Sequence, residues 1–459
     1  MAPLHKELIA RFKTLQELNH FMQVYHSILV INRLHYFPPE TNFENLSPAE
    51  KNLYTTVLIR PAPNAQHPAE LIAQIYQQLN PTPAMPAVVA YVHYNLPFEL
   101  YEQGAPAPTP PEQDPNAWWF QAINCQNALV PYTIPENEKI KVASIDTGIL
   151  YNHPDLDDFP KRKGIARDFT QLRWTDGQLD EDYKNGTEID LGIMDTGDSA
   201  VHGTHIAGLI GALRIVTSHT IGLAHQATLL NFRAWDLGIP PSDATLAVAV
   251  RSAADMGAKV INASWGRAKQ DATNECALSD AITYACTKGA VVVCAAGNFK
   301  SDIDGYIPAR FKNVIVVGSV DIPKKPGGLC NRSEDSNFGD RVIGAPGVDI
   351  FSLDALDTTV MRKMSGTSMA AAIVSGLVTR MIEINPQLVL PPIDANLPCN
   401  AAEVILGKIK TVETDKRDTH PFNMINVDET LRQLTANTRQ RPQSRENSGN
   451  LTPNIFPSP

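Results

Sequence analysis

Apolar positions change their spacing along this chain, and each change predicts a different element. Leu4, Leu8, Ile9, Phe12, Leu15, Leu18, Phe21 and Met22 recur near helical spacing and predict a helical start. Ser47-Pro48-Ala49-Glu50 reads as a capping box with proline at the first helical position. The β-prone run Thr55–Ile59 predicts a strand, 68–79 a helix, and Ala87–Val92 a second strand. Prolines then crowd into Gly104–Pro111, which predicts an extended linker. From about Trp118, β-prone runs such as 229–232, 260–261 and 291–294 alternate with small-residue helical stretches such as 242–256 and 278–288. Alternation of this kind implies βαβ units and a largely parallel sheet covered on both faces. The expected fold is therefore a three-layer α/β/α arrangement around a mostly parallel sheet, preceded by a smaller α+β region. The boundaries expected are 1–104 for that N-terminal region, 105–115 for the linker and 116–435 for the main domain. Residues 436–459 are polar and proline-bearing, and a disordered tail is expected there.

Composition narrows the class without choosing a function. At 459 residues the chain is long enough for one large α/β core and a second domain. A formal charge of −10 argues against a dedicated nucleic-acid binder, which is normally basic. No run approaches the roughly 18 consecutive apolar residues of a membrane span, so no membrane partner is expected. Met1–Arg11 carries His5, Lys6, Glu7 and Arg11 and lacks the apolar core of a secretory signal peptide. Six cysteines are too sparse for a disulfide scaffold, and Cys294, inside an apolar run, reads as a buried free thiol. The expected location is cytoplasmic, or exported without the general signal.

Three segments carry candidate chemistry. Gly366-Thr367-Ser368-Met369-Ala370-Ala371 sets a serine at a glycine-marked turn that opens an apolar helix. Free N–H groups at a helix start can stabilise negative charge on a reacting oxygen. A nucleophilic serine needs a base, and the base needs an orienting acid. Lys141–Ile145 is a β-prone run ending in Asp146-Thr147-Gly148, which puts a carboxylate at a strand's carboxyl end, where open α/β sheets build their sites. His202-Gly203-Thr204-His205 leads into a small-residue helical segment, with His202 as base and Asp146 holding its tautomer.

These segments resemble, in chain order, the Asp, His and Ser boxes of the subtilisin-like serine proteases. Asn152-His153-Pro154-Asp155-Leu156 is similar to the segment after the family's catalytic Asp. Ser264-Trp265-Gly266 is similar to its substrate-binding strand, and Ala295-Ala296-Gly297-Asn298 to the strand end that presents the oxyanion-hole asparagine. Ala345-Pro346-Gly347 and Ile425-Asn426-Val427-Asp428 resemble later landmarks. The resemblance spans about 116–435 and implies a serine endopeptidase acting on polypeptides: Asp146, His202 and Ser368 catalytic, Asn298 in the oxyanion hole, and Ser264, Trp265 and Gly266 binding substrate. No organic cofactor is implied. One departure is Ala372, where the family's serine box usually continues with proline. A second is 214–220, which lies where many relatives bind calcium yet supplies few hard oxygen ligands. With Asp155 as the one retained carboxylate, the sequence argues against a calcium requirement and leaves the metal unassigned.

Each site has a plainer rival. Ser368 could only cap its helix. His202 and His205, three apart, could share a zinc ion, but a third ligand at recognisable spacing is missing. Asp-Thr-Gly recurs at Asp195, so an aspartic-protease pair with Asp146 is conceivable. The helix-forming surroundings disagree with the all-β lobes such a pair needs. A non-catalytic peptide-binding protein that keeps the fold is the alternative from another class. By its position, 1–104 resembles the family's prosegments. Such a segment packs on the catalytic domain and leaves its final stretch in the substrate groove, with cleavage expected between about Glu102 and Asn116. A permanent regulatory domain is the alternative.

Overall fold

The computed structural model describes residues 6–80, 88–101, 117–125, 127–128, 132–150, 153–156, 166–170, 172–175, 178–181, 184, 187–188, 200–213, 222–235, 239–269, 275–322, 329–390, 400–415 and 420–439. The linker 105–115, Asp195, the segment 214–220 and residues 440–459 lie outside them.

The N-terminal region opens differently from its apolar spacing. Leu8–Phe12 is a strand, and the helix runs only over Leu15–Tyr25. Thr14 accounts for the switch, because its hydroxyl and the Glu17 carboxylate close a capping box that starts the helix after the strand. Tertiary pairing then claims the upstream residues. Leu8–Phe12 pairs antiparallel with Thr56–Pro61 on one side and Val89–Tyr94 on the other, and Leu29–Arg33 joins the far edge of Thr56–Pro61. The second capping box is present at Ser47 and Glu50, and the helix Pro68–Leu79 matches its expected bounds. Gln178–Leu179 from the main domain extends this sheet through Arg33.

The main sheet has 11 strands among the described residues. Lys141–Asp146 lies at its switch point. Thr228–Arg233 pairs parallel on one side and Val260–Ala263 on the other, followed in parallel by Val291–Ala295, Val314–Asp321 and Val342–Pro346. In doubly wound sheets a crevice opens at such a point beyond the strands' carboxyl ends. The helix Thr367–Ile384 packs across this sheet, burying Ala370 to Val374 completely. It is long and apolar enough to cross a membrane by length and composition alone, although Arg380 and Glu383 interrupt its apolar run. Within the fold, 83% of it is buried, so its apolarity serves the core. Val427–Arg439 forms a helix that runs past the expected tail boundary at 436. Cys125, Cys276, Cys294 and Cys330 are free and buried, while Cys286 is disulfide-bonded to a partner outside the described residues.

The two regions meet across a polar seam. Arg11 donates to Asp280 Oδ1 at 2.5 Å and pairs with Glu275, and the Tyr91 hydroxyl donates to Asp280 Oδ2 at 2.7 Å. Both Asp280 and Tyr91 are buried there. Buried carboxylates are costly unless bonded on both oxygens, which the seam achieves.

Candidate active site

Asp146 ends its strand with only 1% of its surface exposed. Its Oδ1 accepts the Thr147 N–H at 2.7 Å and His202 Nδ1 at 2.7 Å. An ionised carboxylate only accepts, so Nδ1 carries the proton and Nε2 is the basic nitrogen of the neutral ring. His202 sits in the first turn of the helix Val201–Gly211. The next residue must be small. A Cβ on Gly203 would fall 2.0 Å from the Gly148 carbonyl oxygen and 3.1 Å from Asp146 Oδ1, so glycine lets the helix start close on the carboxylate loop.

Ser368 is fully buried in the first turn of Thr367–Ile384. Gly366, at φ 146°, makes the turn in a region of backbone space that a side chain resists. The Ser368 hydroxyl donates to the Ser264 carbonyl at 2.9 Å, and the Ser264 hydroxyl donates back to the Ser368 carbonyl at 3.1 Å. Asn298 follows the buried strand Val291–Ala295. Its Oδ1 accepts both the Thr367 N–H and the Thr367 hydroxyl, each at 3.0 Å. Two donors on one oxygen fix the amide's orientation, which leaves Nδ2 as a buried donor with no hydrogen-bond partner among the described residues.

The strand Trp265–Ala268 is already occupied. Glu99–Leu100 pairs with it antiparallel, Leu100 opposite Trp265 and Glu99 opposite Gly266. Tyr101 continues the pairing: its N–H donates to the Ser264 carbonyl at 3.2 Å, and its own carbonyl accepts the Ser368 N–H at 3.3 Å. On the opposite side the Phe98 N–H donates to the Pro241 carbonyl at 3.0 Å, and Leu96 exchanges bonds with Asp243. Residues 96–101 therefore run extended between two backbone edges, adding a strand to the site. The Tyr101 ring is buried, and burial holds its phenol well above the ordinary tyrosine range, so it stays neutral. A Cβ on Gly266 would sit 2.3 Å from the phenolic oxygen, so this glycine makes the room. Phe299 meets the Tyr101 ring edge-on with centroids 5.7 Å apart. The Trp265 side chain turns inward and donates to the Ile145 carbonyl at 2.9 Å, so its indole packs into the core.

The shared-zinc reading of His202 and His205 finds no support among the described residues. His205 is buried with Nε2 3.1 and 3.0 Å from the Ile350 and Arg362 carbonyls, and burial pushes its pKa down to about 3. It is a neutral core histidine rather than a zinc ligand. His153 accepts the Asp155 N–H at 3.2 Å, and burial lowers its pKa as well. Among the described residues no group of three His, Cys, Asp or Glu is placed to hold a metal ion. A calcium ion takes six to eight oxygens, far more than the Asp155 carboxylate brings. Asp195 and 214–220 are outside the described residues. The sequence reading missed the role of Thr367, which lies within the serine box and orients Asn298. It also missed Phe98 and Tyr101, whose importance appears only once the N-terminal segment lies across the groove.

The subtilase family profile matches residues 137–423, more than half of the chain. Among curated relatives, the chain is 38% identical over 238 residues to the thermophilic serine proteinase of Bacillus sp. (strain AK1), covering 52% of this chain and 50% of that one. It is 33% identical over 247 residues to thermitase of Thermoactinomyces vulgaris, covering 54% and 76%. The chain thus spans about half the length of the first of these relatives. The fold is similar to that of the epidermin leader peptide processing serine protease of Staphylococcus aureus, with a TM-score of 0.61 at 19% identity over 96% of this chain and 99% of that one. It is also similar to fervidolysin of Fervidobacterium pennivorans, with a TM-score of 0.59 at 19% identity over 93% and 61%.

Proposed function

The chain belongs to the subtilase family, and from that membership we propose that it is a serine endopeptidase acting on polypeptides. In this reading Ser368 attacks the scissile carbonyl, and His202 Nε2 takes the hydroxyl proton and returns it to the leaving amine. Asp146 orients the ring through Nδ1 and stabilises the imidazolium. The attack requires the Ser368 hydroxyl to leave the Ser264 carbonyl and turn to His202. Catalytic hydrogen bonds often tighten only when substrate is bound. The Ser368 N–H and Asn298 Nδ2 receive the oxyanion. No step requires a metal or an organic group.

The observation that carries the reading is the Tyr101 carbonyl on the Ser368 N–H. A peptide carbonyl bonded there, with its own N–H on Ser264, has the pose of a substrate's acyl residue. The same contact supports reading the N-terminal region as an inhibitory prosegment whose final stretch fills the groove. The bond to be cut is then Tyr101–Glu102, at the upstream edge of the range expected from sequence.

A fluorophosphonate probe tests the function. It should modify Ser368 alone, mapped by peptide mass, in protein that hydrolyses an unfolded substrate. A chain that binds peptide but neither reacts with the probe nor cleaves is the non-catalytic alternative. Inhibition by pepstatin-type compounds but not by the probe would return the chemistry to the carboxylates. Asn298→Ala should lower kcat by about 100- to 1,000-fold with KM little changed, because the oxyanion contact strengthens in the transition state. Steady-state kinetics on a fluorogenic peptide checks this. A large rise in KM at constant kcat would make Asn298 a residue that binds the ground state instead.

A further inference from the structure

Asn298 is held at its tip and at its base. Thr367 fixes the tip, and its hydroxyl also accepts the Gly297 N–H at 3.1 Å. The base is held by Asn337, a fully buried residue that brackets Asn298 from both sides along the chain. Upstream, Asn337 Nδ2 donates to the Ala296 carbonyl at 2.9 Å, and the Asn337 N–H donates to the Gly297 carbonyl at 2.8 Å. Downstream, Asn337 Oδ1 accepts the N–H groups of Phe299 and Ser301, each at 3.0 Å. Gly297 lets the amide come this close. It sits at φ 104°, and a Cβ there would fall 2.4 Å from Asn337 Nδ2. The bracket is itself anchored to the main sheet. The Ser336 hydroxyl donates to the Asn337 carbonyl at 2.9 Å and accepts the N–H of Ser319, in the strand Val314–Asp321, at 3.1 Å.

Resting on the endopeptidase reading above, we infer that Asn337 is a positioning residue for the oxyanion hole, acting through the backbone that carries Asn298. A hydrogen-bond donor speeds a reaction to the extent that it already points at the charge that will develop. Thr367 sets the rotation of the Asn298 amide, and Asn337 sets where that side chain begins. Without the Asn337 amide, the Phe299 and Ser301 N–H groups lose their acceptor and the loop beside Gly297 is released. A displacement of about 1 Å at a reacting group costs on the order of 100-fold in rate. The substrate strand bonds to Ser264 and Trp265–Ala268 rather than to this loop, so the loss belongs in kcat and not in KM. Because Asn337 works through Asn298, its removal costs no more than removal of Asn298 itself.

A double-mutant cycle in the full-length expressed protein tests this, with kcat and KM from a fluorogenic peptide, counted per processed chain by mass. Asn337→Ala should lower kcat about 10- to 100-fold with KM within about threefold. In an Asn298→Ala background the same substitution should cost less than about twofold, because the group it positions is gone. Thermal unfolding reports whether each variant is folded. Asn337→Ser, which leaves a smaller cavity and keeps a hydroxyl beside the loop, carries the same cycle where the alanine variant does not fold. A wild-type kcat in the Asn337 variants overturns the inference. So does an equal loss in both backgrounds, which marks a general structural role, and so does a loss expressed mainly in KM. Wild-type protein that neither cleaves the peptide nor reacts with the fluorophosphonate overturns the endopeptidase reading itself, and the inference with it.

Discussion

Ser368→Ala should abolish peptide hydrolysis, with a fall in kcat of about a million-fold, and leave a folded protein that keeps residues 1–101 attached. The nucleophile is gone, but the helix start tolerates alanine: Gly366 makes the turn, and Thr367 still orients Asn298. The lost hydroxyl leaves behind a Ser264 carbonyl that still accepts the Tyr101 N–H, so the stability change should be about 1 kcal/mol. Two readouts follow from one variant. Fluorogenic turnover and probe labelling report the chemistry. Mass analysis of the chain's start reports the processing: wild-type protein should begin at Glu102, and the variant should stay whole. Turnover near the wild-type rate would sink the serine assignment. Fully active wild-type protein that retains residues 1–101 would instead defeat the prosegment reading while leaving the peptidase intact.

A loss of about 10,000-fold in kcat is expected for Asp146→Asn, with KM changed far less. The carboxylate Oδ1 accepts from Thr147 and from His202 at the same time, so an amide of the same shape keeps the geometry. Its oxygen still accepts from both donors and holds the ring, but the negative charge that stabilises the imidazolium formed when His202 takes the serine proton is gone. Folding should be preserved, because nothing changes in volume and the strand pairing on either side is backbone. Thermal unfolding and kinetics measured on the same sample separate the two effects. A fall of less than a hundredfold would mean that the Asp146 charge does not support the protonated base.

Much of the site was legible because its pieces are local. Gly366 needs a backbone conformation that only glycine adopts freely, the carboxylate ends a β-prone run, and the small residues after His202 and Ser368 announce closely packed helices. Those are properties of a few consecutive residues, and the order of the boxes came with the family resemblance. Local spacing failed at Leu8–Phe12. Five apolar-rich residues fit a helix or a strand equally, and long-range pairing with Thr56–Pro61 and Val89–Tyr94 made the choice.

What the amino-acid sequence determined by itself, then, was the residue types of the chemistry and the elements that bear them. The tertiary structure decided which of them meet. Asp146 and His202 are 56 residues apart, and Ser264 and Ser368 are 104 apart. Neither of these contacts leaves a trace in local periodicity. Nor did any motif mark Phe98 and Tyr101, which read as ordinary residues just before a linker. Their meaning comes from a strand pairing across more than 160 residues, Leu100 with Trp265, that brings the chain's own carbonyl to the serine N–H. Local sequence carries the preferences of single turns and strands. The burial of groups far apart in the chain is a property of the closed fold.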